Sequence, residues 1–561
     1  MDFKEKITKD ISKITEKKET QIQKLLEKPK DPKLGDIALP CFMFAKEQKK
    51  SPIQIAQELT QKIKSDWYET QNIGPYINFK IKNEVLAKTT LQNIQEPYQI
   101  KNKQQKKIGI ESPSPNANKP LHLVHARNML LGLSLKKIYE KAGNKVIWFD
   151  LVNDKGVHIC KSMLAYKLKG KGKTPTTENK KPDQFVGDYY VEYTKLQKEN
   201  PELEQEAKKM LIQWEQNHEE TMKLWKQMRE WWLEGVKQTY NEYDAKIDKQ
   251  IFESDIYKEG KQIVLNALKQ NTFQKDETGA IYIDLEKEGL GKKYLLRADG
   301  TTIYMTQDIY LAKKRFEENE LDEFRYIVGS EQIYHFNTLF EILKKLGYEF
   351  SKKCKHIAYG LIYLPDGKMK SREGNVVDAD EFIENMKQLA EKELKQRYPD
   401  IMKEELEKRK KIIAKGAVNF FILKYDSQKD FTYDPKKSLS FQGDTGPYIQ
   451  YTHARICSIL RQEQPQNPEL EALTLEKEKY IINKLNEYEN TILHAEKNNK
   501  PSTITNYLIE LAQLFNTYYQ EAPILKEENK TKNARLFLID KVRIILKDGL
   551  SLLGITAPEE M

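Results

Sequence analysis

Apolar residues recur at helical spacing early in the chain, at Ile7, Ile11 and Ile14 and again at Ile55, Leu59 and Ile63. Before the second set, Ser51 and Pro52 supply a cap and a first turn. The stretch "NIGPYINFKI" at 72–81 then alternates like a strand, so residues 1–105 read as an α+β domain closed by the lysine-rich "KNKQQKK". Next comes a short β-prone run, "KIGIES", and the Pro/Asn loop "SPSPNANKP". A helix with Leu121, Met129, Leu133 and Ile138 follows, ending at Gly143. "KVIWFDLVN" is almost continuously apolar, the signature of a parallel strand covered on both faces. Strand, helix and strand form a right-handed βαβ unit. The loop after its first strand and the start of its helix therefore face the crevice where open α/β sheets bind ligands.

A lysine-rich stretch at about 168–182 leads into a long helical region with Trp214, Trp225, Trp231 and Trp232, read as an insertion over about 168–285. At helical spacing these tryptophans are core or contact anchors, base stacking being the other use open to them. Strand-like segments resume in "KYLLRA", "FRYIVGS" and "HIAYGLIYL", interleaved with helices around "QDIYLAKKRF" and "NTLFEILKKLG". From about 376 the pattern is helical almost to the end, punctuated by Pro435 and Pro447. The expected fold is α/β: a doubly wound, parallel, Rossmann-like sheet domain at 106–375 carrying the insertion, with an N-terminal α+β domain at 1–105. A helical linker at 376–435 and a helical bundle at 436–561 complete it.

Composition narrows the class. The net charge of +10 favours polyanionic partners such as RNA without proving one. No apolar run approaches the roughly 20 residues that span a bilayer, and the charged start "MDFKEKITKD" does not look like a secretion signal. A cytoplasmic protein is expected. Cys41, Cys160, Cys354 and Cys457 lie far apart with no CxxC pair, so neither a structural metal nor a disulfide framework is expected.

His122 and His125 sit one turn apart in the first turn of the helix, beside its unpaired N–H groups and positive dipole end. An anion would be favoured there, although a surface pair or two metal ligands would have the same spacing. Lys368, Lys370 and Arg372 lie in a glycine-flanked loop, "DGKMKSREGN", just after an apolar strand. Such a loop can close over phosphate, or can simply be solvated.

The order of these features resembles the class I aminoacyl-tRNA synthetases, whose two motifs are written HIGH and KMSKS. "ESPSPNANKPLHLVH", "NDKGVHICKSM", "YMTQDI", "VGSEQIYHF", "GKMKSREGNVV" and "GDTGPYIQYTHARI" are similar, in order, to arginyl-tRNA synthetases. "GDIALPCFMFAKEQKKSPIQIAQEL" resembles the added N-terminal domain of that family. The resemblance implies ATP, as its Mg2+ complex, L-arginine and tRNA(Arg) as partners, and a chain that is monomeric. It further implies that His122, His125, Lys119, Lys368 and Lys370 are catalytic, with ATP held by His122, Val124, His125, Lys368, Met369, Lys370, Ser371 and Arg372. Glu111 and Asp308 would flank the guanidinium of arginine with Tyr304 alongside, and Asn116 and Gln332 would take its α-amino and carboxylate groups. Candidate RNA contacts are Tyr76, Asn78 and Phe79 near the start of the chain, and Tyr448, Tyr451, His453 and Arg455 in the helical region.

Two positions depart from the pattern. Ser371 stands where KMSKS has its second lysine, a lost charge that Lys119 could replace. Val124 stands where HIGH has glycine, adding three carbons at the contact with adenine. Two other readings remain open on these grounds: an RNA-binding protein that has lost catalysis, and an adenylyltransferase acting on another acid.

Overall fold

The computed structural model describes residues 3–29, 31, 34–101, 105–364, 367–368, 377–432, 440 and 443–561, with only the backbone described at 46, 364, 367 and 368. These residues divide into two compact units, one comprising 1–96, 459–487 and 514–544, the other 97–458, 488–513 and 545–561.

In the first unit the alternating segment becomes the centre of a three-stranded antiparallel sheet, Tyr76–Ile81 lying between Ile37–Pro40 and Tyr68–Ile73. The helix Pro52–Lys62 begins as read: Ser51 Oγ accepts from Gln54 N at 3.3 Å and Gln54 Oε1 accepts from Ser51 N at 3.2 Å. In the helical part of this unit, Glu478 is fully buried and accepts from Arg535 Nε at 2.8 Å and Tyr518 Oη at 3.0 Å, a charge kept in the core because it is paired. The central strand corrects two expectations. Asn78 and Phe79 are buried in it, at 3 % and 0 % exposure, and cannot offer their faces to a base. Tyr76 is half-buried with its ring edge-on to Phe42.

The second unit is built on five parallel strands: β1 (Lys107–Glu111), β2 (Lys145–Val152), β3 (Lys249–Phe252), β4 (Glu323–Gly329) and β5 (Cys354–Tyr359). Its helices of interest are α1 (Leu123–Lys141), α2 (Val157–Lys169), α3 (Pro182–Glu199), α4 (Glu219–Glu242), α5 (Tyr304–Asn319), α6 (Ile333–Lys345) and α7 (Ala379–Arg397). The strand order is β5-β4-β1-β2-β3, all pairs parallel. The chain winds outward one way from β1 and returns to its other side with β4. That reversal opens the ligand crevice of a doubly wound sheet at the C-terminal ends of β1 and β4.

Three strand readings change. "KYLLRA" does not enter this sheet: Gly291–Leu296 belongs to a separate antiparallel sheet with Gln274–Lys275 and Ile281–Leu285, and its alternating burial fits a strand covered on one face. The third main-sheet strand is instead Lys249–Phe252, a four-residue, half-polar segment within the stretch read as insertion. "HIAYGLIYL" breaks at Gly360, where a Cβ would meet Asp430 Oδ1 at 2.4 Å. Its second half, Ile362–Leu364, pairs with Gly367–Lys368 and Phe431–Thr432.

Candidate active site

The loop after β1 is held from below. Ser114 N donates to Asp150 Oδ1 at 3.1 Å, while Tyr240 Oη and Gln250 Nε2 reach Asp150 Oδ2 at 2.9 and 3.1 Å. Burial pushes the Asp150 carboxyl up to about 6 against these donors. Trp148 Nε1 donates to the Ser112 carbonyl at 2.9 Å, and α1 can lie against both because Gly132 has no side chain: a Cβ there would stand 2.3 Å from Ser112 Oγ. Asn116, half-buried, is bridged to Asn153 at the end of β2.

The loop delivers His122 as the cap of α1 and His125 into its first turn, their ring centres 4.0 Å apart. His122 N donates to His125 Nδ1 at 3.2 Å, which leaves the proton of a neutral His125 on Nε2. Burial lowers His122 from 6.5 to about 4 and His125 well below 6.5, with the charge of nearby Lys119 pushing both in the same direction. At neutral pH the pair therefore meets an anion with N–H groups and the helix dipole, and not with imidazolium charge. The ring resonances of both histidines are expected to pass the ordinary midpoint of about 6.5 without titrating in an NMR pH series; a midpoint there would contradict the lowering. The unfolded chain takes up the His122 proton between 6.5 and about 4 while the folded chain does not, so this contribution is complete above pH 6.5 and is lost as pH falls.

Val124 lies half-buried between the histidines. Beside them runs the chain that follows the second motif: Leu123 N donates to the Val377 carbonyl at 3.0 Å and Ala379 N to the Leu121 carbonyl at 2.9 Å. Of that motif only the backbone of Lys368 is described, paired with Tyr363; Met369, Lys370, Ser371 and Arg372 lie outside the described residues. The Lys119 carbonyl accepts from Trp232 Nε1 at 2.8 Å.

Glu111 ends β1, is 5 % exposed and pairs with the buried Arg315 on α5, an ion that stacks over Phe324 at 4.9 Å. Burial raises the Glu111 carboxyl, and Arg315 opposes the rise. Asp308, one turn after Tyr304 on α5, bonds His335 Nε2 at 2.7 Å. Both carboxylates thus already have a cationic or hydrogen-bonding partner within the protein. Tyr304 is 63 % exposed, and Gln332 is exposed in the turn before α6. A third acid, Glu253, was not expected: it is buried, its Oε2 lacks a hydrogen-bond partner, and burial pushes it up to about 7, with Asp154 and Asp308 adding to the rise. Nothing in "FESDIY" marks it, since its place depends on β3, which the hydrophobic pattern does not reveal. In the helical region, Tyr448, Tyr451 and Arg455 are half-buried, His453 is buried, and the Arg455 guanidinium lies 4.8 Å from the Tyr451 ring centre.

Comparison with known proteins bears on the whole chain. Residues 86–434 match the family described as "tRNA synthetases class I (R), catalytic domain", 449–561 the "DALR anticodon binding domain" and 1–81 the "Arginyl tRNA synthetase N terminal domain". An arginine–tRNA ligase of Borrelia duttonii is 40% identical over 581 residues, covering 100% of this chain and 99% of the relative. One of Treponema denticola is 40% identical over 557 residues, covering 96% and 94%. The arginyl-tRNA synthetase of Thermus thermophilus superposes with a TM-score of 0.82 at 26% identity over the full length of both chains. With its sheet, paired histidines and all three domain matches in one order, the chain belongs to the arginyl-tRNA synthetase family of class I aminoacyl-tRNA synthetases.

Proposed function

We propose that this chain is an arginine–tRNA ligase that activates L-arginine with ATP and transfers it to the 3′ end of tRNA(Arg). The observation that carries the specificity is the set of carboxylates, Glu111 and Asp308, at the end of β1 and on α5, within one electrostatic neighbourhood. A guanidinium needs acceptors of this kind in fixed geometry. Tyr304 lines the same helix, while Asn116 and Gln332 take the α-amino and carboxylate groups.

In the first step the arginine carboxylate attacks the α-phosphate of Mg-ATP, and pyrophosphate leaves. In the second, a ribose hydroxyl at the tRNA 3′ end displaces AMP from the adenylate. No side chain becomes covalent. His122 and His125 donate to the phosphates together with the first backbone N–H groups of α1, and Lys119 brings positive charge beside them. Lys368, Met369, Lys370, Ser371 and Arg372 serve the leaving group. The helical region with Tyr448, Tyr451 and Arg455 meets the anticodon, and residues 1–105, through Tyr76, the body of the tRNA. These assignments keep the divisions at 105, 375 and 435. We place the enzyme in the cytoplasm as a monomer; among the described residues no helix is long and apolar enough to cross a membrane.

Transfer of labelled arginine to acid-precipitable tRNA tests this reading: charging of tRNA(Arg) is expected, and its absence with intact, folded protein would refute it. Val124 sets a secondary expectation. An isopropyl group in the first turn of α1 crowds adenine, a cost of about 1–3 kcal/mol. Val124→Gly should therefore lower the ATP KM by about fivefold or more, and an unchanged KM would show that the site has already relaxed around valine.

A further inference from the structure

The helices between β2 and β3 reach the ATP site from outside. Lys181, just before α3, has a largely buried ammonium group that bonds three partners: Asp183 at 3.2 Å, Thr239 Oγ1 at 2.5 Å, and Asp380 in the first turn of α7. Thr239, on α4, also donates to Asp380 at 3.1 Å. Just beyond α4, Tyr243 Oη donates to the Ala379 carbonyl at 2.7 Å. Asp183 is fully buried and fits only because α4 carries glycine opposite it: a Cβ on Gly235 would lie 2.3 Å from Asp183 N. Asp378 closes the arrangement by capping α7, accepting from Asp380 N at 2.8 Å.

The held segment, 377–380, is the one whose backbone pairs with Leu121 and Leu123 on either side of His122. From the same insertion, Trp232 fastens the Lys119 carbonyl on the approach to His122. The insertion thus grips both chains that meet at the first turn of α1.

We propose that the helical insertion is a brace for the ATP site and that Lys181 is its positioning residue, holding Ala379 and Asp380 so that the 377–379 backbone fixes the orientation of His122 and His125. Lys181 touches neither histidine and acts through the segment it holds. Two acids, Asp183 and Asp380, share this one ammonium group, so its removal leaves like charges facing each other across the joint. The proposal rests on His122 and His125 serving ATP, as set out above.

The test is arginine-dependent ATP–pyrophosphate exchange by the full chain, with tRNA(Arg) present. Lys181→Met is expected to raise the ATP KM or lower kcat by about tenfold while the arginine KM stays within about twofold, and Lys181→Arg is expected to restore most of the loss. Unchanged ATP parameters in folded Lys181→Met overturn the proposal, as does an equal loss in ATP and arginine parameters that Lys181→Arg fails to rescue. If Lys181→Met does not fold, Tyr243→Phe decides. It removes the bond to Ala379 and should raise the ATP KM by about threefold, and no change overturns the proposal. His122→Asn separates this failure from that of the underlying reading. If it is as active as the parent, the ATP assignment itself is wrong; if it is impaired while Lys181→Met is not, only the brace fails.

Discussion

Replacing Asp308 with alanine is expected to raise the arginine KM by about a hundredfold and to leave the ATP KM nearly unchanged. The substrate's guanidinium must shed water to enter the crevice, and a desolvated, hydrogen-bonded charge pair that loses one partner costs about 2–5 kcal/mol. At about 1.4 kcal/mol per tenfold, the hundredfold figure corresponds to about 2.8 kcal/mol, inside that range. Asp308 also holds His335, so part of any effect could come through that ring. His335→Gln separates the two: it keeps the aspartate and should cost far less than Asp308→Ala. Steady-state exchange kinetics on both variants make the comparison, and equal losses would assign the role to the Asp308–His335 unit instead of the carboxylate.

Glu111→Ala is expected to fail as a fold before it fails as an enzyme. It strands Arg315, 2 % exposed among Phe149, Phe324 and Tyr326, with no anion in a site built around one. Breaking a buried pair from one side costs about 3–5 kcal/mol, whereas replacing both partners by groups of similar volume is often neutral. Urea unfolding should therefore show a large loss for Glu111→Ala and recovery in Glu111→Gln/Arg315→Met. If the single variant is as stable as the parent, the Arg315 charge has another home. The double variant, stable but lacking a carboxylate at the end of β1, should still activate arginine poorly, separating the fold role of Glu111 from its substrate role.

Much of this site could be read before any coordinates because it is built from local rules. A continuous apolar strand, a Pro/Asn loop and a helix opening on His122 and His125 define a βαβ unit, and its handedness places the histidines at the crevice. What escaped was whatever depends on residues distant in sequence. The strand Lys249–Phe252 is only four residues long and half polar, so its pairing with β2 leaves no periodic trace, and the place of Glu253 is hidden with it. Arg315 looks like one more cation in "LAKKRFEEN"; only the sheet brings it to Glu111, 204 residues earlier. The burial of Asn78 and Phe79 is not legible in the sequence because alternation identifies a strand without saying whether both its faces are covered. The lysine ahead of α3 likewise reads as part of a charged linker until Asp380 arrives beside it.

The most direct measurement is exchange of labelled pyrophosphate into ATP by the purified chain, run with L-arginine or L-lysine, in the presence and absence of tRNA(Arg). If Glu111, Asp308 and Tyr304 hold the substrate side chain as proposed, they should accept the planar guanidinium and reject the ammonium of lysine. Exchange that requires L-arginine and is absent with L-lysine is the expected result. No exchange under any of the four conditions, or exchange that proceeds equally well with lysine, would contradict it.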